Sequence, residues 1–141
     1  MRLLTPTEEK TLLQSIELAE KRTSGEIRIH IESWCWGDPF VRATKLFSKL
    51  SMHQTKERNG VLLYIATRSR KLAIVGDVGI HAKVEQAFWD GLIATLSQGF
   101  QGQHYAEALT ACVEKCGELL SVHFPYERGD TNELSNDISF G

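Results

Sequence analysis

Apolar positions along the first twenty residues recur at helical spacing. Leu12, Leu13, Ile16 and Ala19 share one face with charges opposite, and Thr5 or Thr7 offers a cap for a helix reaching about Arg22. In TSGEIRIHIES the period then switches to two. Ile27, Ile29 and Ile31 point one way and Glu26, Arg28, His30 and Glu32 the other, which predicts a strand with one dry face near the edge of its sheet. WCWGDPF reads as a turn, with Asp38 capping and Pro39 opening a second helix whose apolar stripe is Phe40, Ala43, Thr44, Phe47 and Leu50.

The continuous apolar run VLLYIA predicts a strand covered on both faces. TRSRK is a tight polar turn, and LAIVGD returns as a third strand, so the last two strands form a hairpin. The first two, joined through a helix, are expected to be parallel with a right-handed connection. The second half is helical. Val84, Phe88, Leu92 and Leu96 repeat at four-residue spacing, flanked by Trp89 and Ile93. A last helix buries Tyr105, Ala108, Leu109, Cys112, Val113, Cys116, Leu119 and Leu120, and ends before Pro125. Residues 125–141 form a polar, acidic tail packed on or near a single domain, with Ile138 and Phe140 as anchors. The predicted architecture is a three-layer α/β/α sandwich around a short mixed sheet.

Composition adds boundaries. At 141 residues the chain is one domain, long enough to bury a core without disulfides or a structural metal. Sixteen basic residues against 18 acidic ones give a net charge of −2, and no basic stripe suggests nucleic acid. Thr5, Pro6, Glu8 and Glu9 interrupt the start too early for a signal peptide, and no apolar run is long enough to span a bilayer. The expectation is a cytoplasmic monomer, or a mature form whose targeting segment has been removed. Cys112 and Cys116 lie four apart on one helix and Cys35 sits between two tryptophans, a pattern suited to packing and not to a disulfide or zinc site.

Topology brings three segments to one edge of this sheet: Ser24-Gly25-Glu26 before the first strand, Arg58-Asn59-Gly60 before the second, and Gly76-Asp77-Val78-Gly79 after the third. Glu26, Asn59 and Asp77 are therefore candidate oxygen ligands for calcium or magnesium, hard cations that prefer carboxylate and amide oxygens. Asp77 equally reads as a helix cap within a common Gly-Asp-x-Gly turn. A helix starting near Ile80 offers free backbone N–H groups to a phosphate. Asp130, Asn132, Glu133 and Asp137 of the tail can add oxygens to the same ion, although their spacing does not fit an EF-hand loop. The five histidines show no paired ligand spacing, and no serine or cysteine sits in a nucleophile motif. The aromatics of SWCWGDPF read first as helix-to-sheet packing and second as a partner-binding patch.

Taken in order, TSGEIRIHIE, RNGVLLYIA, RKLAIVGDVGI, the FW pair, GFQGQHYAEAL and the ending FPYERGDTNELSNDISFG resemble a compact bacterial subgroup of the TPM domain family. The family is named for a thylakoid lumen protein, a photosystem II protein and a worm receptor modulator. The resemblance covers nearly the whole chain. It implies the three-layer fold, divalent cation binding (calcium most often) and the acid phosphatase activity of the plant member. Other members act beside membrane proteins. Two expectations follow. In the first, a cation polarises a phosphate ester and orients water, with Asp77 or Glu26 as ligand or base and Arg58 offsetting charge. In the second, a cation-stabilised edge or the Trp34–Trp36 turn docks a partner protein without catalysis, in a maintenance or repair role.

Overall fold

The computed structural model describes residues 3–126 and 138–141. Its element order is α1 (Pro6–Glu20), β1 (Glu26–Glu32), α2 (Pro39–Lys49), β2 (Gly60–Ala66), β3 (Lys71–Gly76), α3 (Val78–His81), α4 (Gln86–Gln101), α5 (Tyr105–His123) and β4 (Ile138–Phe140), with a 3₁₀ turn at Met52–Gln54. The strands form one mixed sheet in the order β3-β2-β1-β4. β1 runs parallel to β2 and to β4, while β2 and β3 make the antiparallel hairpin that the short TRSRK turn demands.

Local chemistry explains where the helices start. The Thr5 hydroxyl accepts a bond from the Glu8 N–H while the Glu8 carboxylate accepts one from the Thr5 N–H, a reciprocal capping box ahead of Pro6. Asp38 accepts from the N–H groups of Phe40 and Val41, with Pro39 at the first helical position, where its missing N–H is no loss.

Alternation along the strands divides the core in two. Ile27, Ile29, Ile31, Val61, Leu63, Ile65 and Ile74 face α1, α4 and α5. Leu62, Tyr64, Ala66, Ala73 and Val75 face α2 on the other side. Helices thus cover both faces, as an α/β/α sandwich requires. Cys112 and Cys116 are buried on α5, where desolvation pushes the Cys112 thiol up to about 11 and Cys116 higher still.

Three expectations need correction. β1 is an interior strand, not an edge: β4 pairs along its free side, and all seven β1 residues are buried, the polar four included. On α2 the inward stripe is Ala43, Leu46 and Phe47, whereas Phe40 and Thr44 are exposed. The helix expected near Ile80 is a single turn, α3, separated from α4, and Asp77 caps its first N–H.

Candidate functional site

The rim where β1 and β2 begin and β3 ends is assembled by backbone pairing. Glu26 N–H donates to the Asn59 carbonyl at 3.4 Å, and Asp77 N–H to the Gly60 carbonyl at 3.0 Å. Gly79 N–H donates to the Arg58 carbonyl at 2.9 Å, an approach only glycine allows, because a Cβ there would stand 2.2 Å from the Glu57 carbonyl oxygen. Gly76 likewise lies flat against the Trp89 ring, 2.3 Å from where its Cβ would be. The glycines flanking Asp77 therefore admit close packing: Gly76 makes room for an indole and Gly79 for a neighbouring backbone.

Glu26, Asn59 and Asp77 are all buried at this rim. Asp77 is held in place twice. Arg58 Nε and Nη2 donate to its two carboxylate oxygens at 2.7 and 2.9 Å, and the Val78 N–H donates to Oδ1 at 2.7 Å. This bidentate pair holds the Arg58 guanidinium charged beyond its ordinary range. The Arg58 backbone is in a left-handed conformation at φ 52°. Asp77 is therefore a cap and an ion-pair partner, and Arg58 is turned toward it.

A second polar group at the same rim includes Glu57, which the sequence did not single out. Ser24 Oγ donates to Glu57 Oε2 at 2.7 Å, while the Asn59 amide nitrogen donates to Ser24 Oγ at 3.1 Å and to Glu57 Oε2 at 3.4 Å. These bonds fix the amide of Asn59, a residue 1% exposed, whose carbonyl oxygen Oδ1 has no hydrogen-bond partner among the described residues. Thr23 and Ser24 bind the Phe124 carbonyl, tying the end of α5 to this corner. Among the described residues no three His, Cys, Asp or Glu side chains gather as a metal cluster. The tail candidates Asp130, Asn132, Glu133 and Asp137 lie outside the described residues.

Beneath α2, near the far end of β1, stands a third polar group. Arg42 Nε and Nη2 each donate at 3.0 Å to the two oxygens of Glu32, and the buried Tyr64 hydroxyl donates to the same carboxylate. The Arg42 bonds, reinforced by that of Tyr64, hold the Glu32 carboxyl at about 2. His30 lies 3.4 Å from Glu32 and 2.8 Å from the Ser139 hydroxyl on β4, and burial pulls its imidazole below the ordinary range. The period-two pattern marked these side chains as solvent-facing. A signal existed only in the pairing of Glu32 with an arginine across a helix.

The tryptophans of the turn after β1 do not pack between helix and sheet. Trp36 is 85% exposed and Trp34 48%, and their rings stack on one another at 5.2 Å, while Cys35 between them is buried. Among the described residues no helix is long and apolar enough to cross a membrane.

Among solved structures, the chain is similar to the BA42 protein of the psychrophilic bacterium Bizionia argentinensis. Identity is 40% and the TM-score 0.91, over 99% of this chain and 97% of that one. The N-terminal domain of the cg2496 protein from Corynebacterium glutamicum shares the fold, with 14% identity and a TM-score of 0.68 over 94% and 83% of the two chains. So does the N-terminal domain of a protein from P. gingivalis, with 18% identity and a TM-score of 0.73 over 89% and 83%. No curated protein matches the chain. The TPM domain pattern matches residues 1–119, and with that match the chain belongs to the TPM domain family.

Proposed function

We propose that this TPM domain binds a divalent cation, calcium or magnesium, at the rim where β1 and β2 begin, and acts through it as an interaction module. The observation that carries the reading is Asn59 Oδ1, a buried carbonyl oxygen without a hydrogen-bond partner among the described residues, on an amide oriented by Ser24 and Glu57. Leaving such an atom desolvated and unpaired costs about 1–3 kcal/mol, which a cation would offset. The Glu57 carboxylate lies 3.4 Å from the Asn59 amide nitrogen, and Glu26 is buried where β1 starts at the same rim; both residues carry the hard oxygens that calcium and magnesium prefer. These groups do not make a complete shell alone. Asp130, Asn132, Glu133 and Asp137, which lie outside the described residues, are proposed to contribute the remainder.

Phosphate-ester hydrolysis has weaker support. It asks Asp77 to serve as base or ligand and Arg58 to meet a developing charge, yet the two are engaged with each other. The test is thermal unfolding with calcium, magnesium or neither, for the wild type, Asn59→Ala and Glu26→Gln. Calcium at about 100 times its Kd is expected to add about 2.7 kcal/mol to the wild type, and both substitutions to abolish the gain. No gain with either ion refutes the proposal. Cation-dependent hydrolysis of 4-nitrophenyl phosphate that disappears in Asp77→Ala would establish the hydrolase reading in its place.

A further inference from the structure

At the opposite end of the sheet from the rim, a cleft of about 830 Å³ opens between the β2–β3 turn, the Trp34 turn and the junction of α4 with α5. We propose that it binds a small aromatic anion, a planar ring carrying a carboxylate or phosphate group. Its size is that of a pocket for a small organic ligand.

Charge is the first argument. Arg68, Arg70 and Lys71 line the cleft and, among the described residues, no carboxylate does, in a protein whose net charge is −2. The three cations have different jobs. Lys71 donates its ammonium protons to the carbonyls of Cys35 and Gly37 at 3.0 and 2.8 Å, so it pins the tryptophan turn over the cleft. Arg68 sits 5.9 Å from the Trp34 ring centre. Arg70 is exposed and has no hydrogen-bond or ion-pair partner among the described residues, which leaves its planar fork of donors open to a carboxylate or phosphate.

The second argument is the ring-lined wall. Trp34, steadied by its stack with Trp36, stands on one side, and Phe100 and Tyr105, packed edge to face at 4.9 Å, stand on the other. These flat surfaces are only partly covered by the protein itself. The junction adds a favourable field. The last carbonyls of α4 are taken by the N–H groups of Gly102, Gln103 and His104, whereas α5 begins at Tyr105 with no side-chain hydrogen bond from His104, its N-cap residue.

Backbone conformation is the third. Arg70 and Gln103, on opposite walls, hold φ of 54° and 62°, and they are two of the four non-glycine residues in that region among the described residues. Glycine or asparagine adopts such angles readily, and an arginine held in a hairpin turn at that cost fits a use for its side chain.

The test is a titration of the isotope-labelled full chain at neutral pH, followed by NMR. The probes are adenosine 5′-monophosphate and benzoate, with adenosine and inorganic phosphate as half-ligands. At least one aromatic anion is expected to shift the Trp34 indole N–H and the Tyr105 amide saturably, and more tightly than either half-ligand. Which probe binds identifies the anionic group. Arg70→Gly suits the local backbone, so the fold is retained, and it is expected to weaken binding about tenfold. Affinity should also fall from low to physiological ionic strength. No saturable shift with either aromatic anion up to about 10 mM overturns the proposal. So does wild-type affinity in both Arg70→Gly and the double variant Arg68→Ala/Arg70→Gly. The rim plays no part in this readout, so the two proposals fail separately.

Discussion

Replacing Glu32 by glutamine removes a charge while keeping the shape of the side chain, and its effect on stability must depend on pH. Arg42 and Tyr64 hold the Glu32 carboxyl at about 2 against an ordinary 4.5. By linkage that difference contributes roughly 3 kcal/mol to the folded state. The folded value lies below the unfolded one, so the contribution is fully present above about 4.5 and is lost as pH falls through about 2. His30 is likewise pulled down by burial and adds its own loss on acidification, from its ordinary 6.5 downward. Glu32 itself holds the His30 value up through a hydrogen bond and its charge, so the comparison is made with His30→Asn in both proteins, where the difference reports on Glu32. Urea unfolding across a pH series measures it. In that background the protein with Glu32 is expected to exceed Glu32→Gln by roughly 3 kcal/mol at neutral pH, with the gap closing toward about pH 2. A gap that stays constant with pH, or none at neutral pH, refutes the assignment.

Other outcomes follow from the same contacts. Gly79→Ala would drive a methyl group to 2.2 Å from the Glu57 carbonyl oxygen and is expected to cost at least about 3 kcal/mol or prevent folding, as judged by circular dichroism and urea titration. Gly91→Ala, in α4 with open space around it, is expected to stabilise by about 0.5–1 kcal/mol in the same assay. Asp77→Ala removes the cap of α3 and should cost about 1 kcal/mol through that loss, read from the urea midpoint. Cys35, Cys112 and Cys116 are buried free thiols, so an aromatic disulfide reagent should label them only after denaturant is added.

Much of the fold is written in short-range signals. Thr5-Pro6 and Asp38-Pro39 mark helix starts, the apolar VLLYIA run marks a strand buried on both faces, and the four-residue turn after it forces a hairpin. From those, the meeting of Ser24–Glu26, Arg58–Gly60 and Gly76–Gly79 at one rim follows by topology alone. What was illegible depends on distant partners. β4 is three residues long and carries no periodicity, and without it β1 reads as an edge. Glu26, Arg28, His30 and Glu32 look solvent-facing until α2 and β4 cover them. The use of Asp77 by Arg58 requires a left-handed turn at an arginine, which side-chain type does not announce.

The central claim is that a divalent cation rests at the rim beside Asn59, and terbium luminescence tests it most directly. Trp89 packs against Gly76 at that rim, whereas Trp34 and Trp36 belong to the other end of the sheet. Terbium excited through indole is expected to emit saturably in a Trp34→Phe/Trp36→Phe protein, to be displaced by calcium, and to fall silent in Asn59→Ala. Absence of sensitised emission in that double variant, or emission that Asn59→Ala leaves unchanged, would contradict the account.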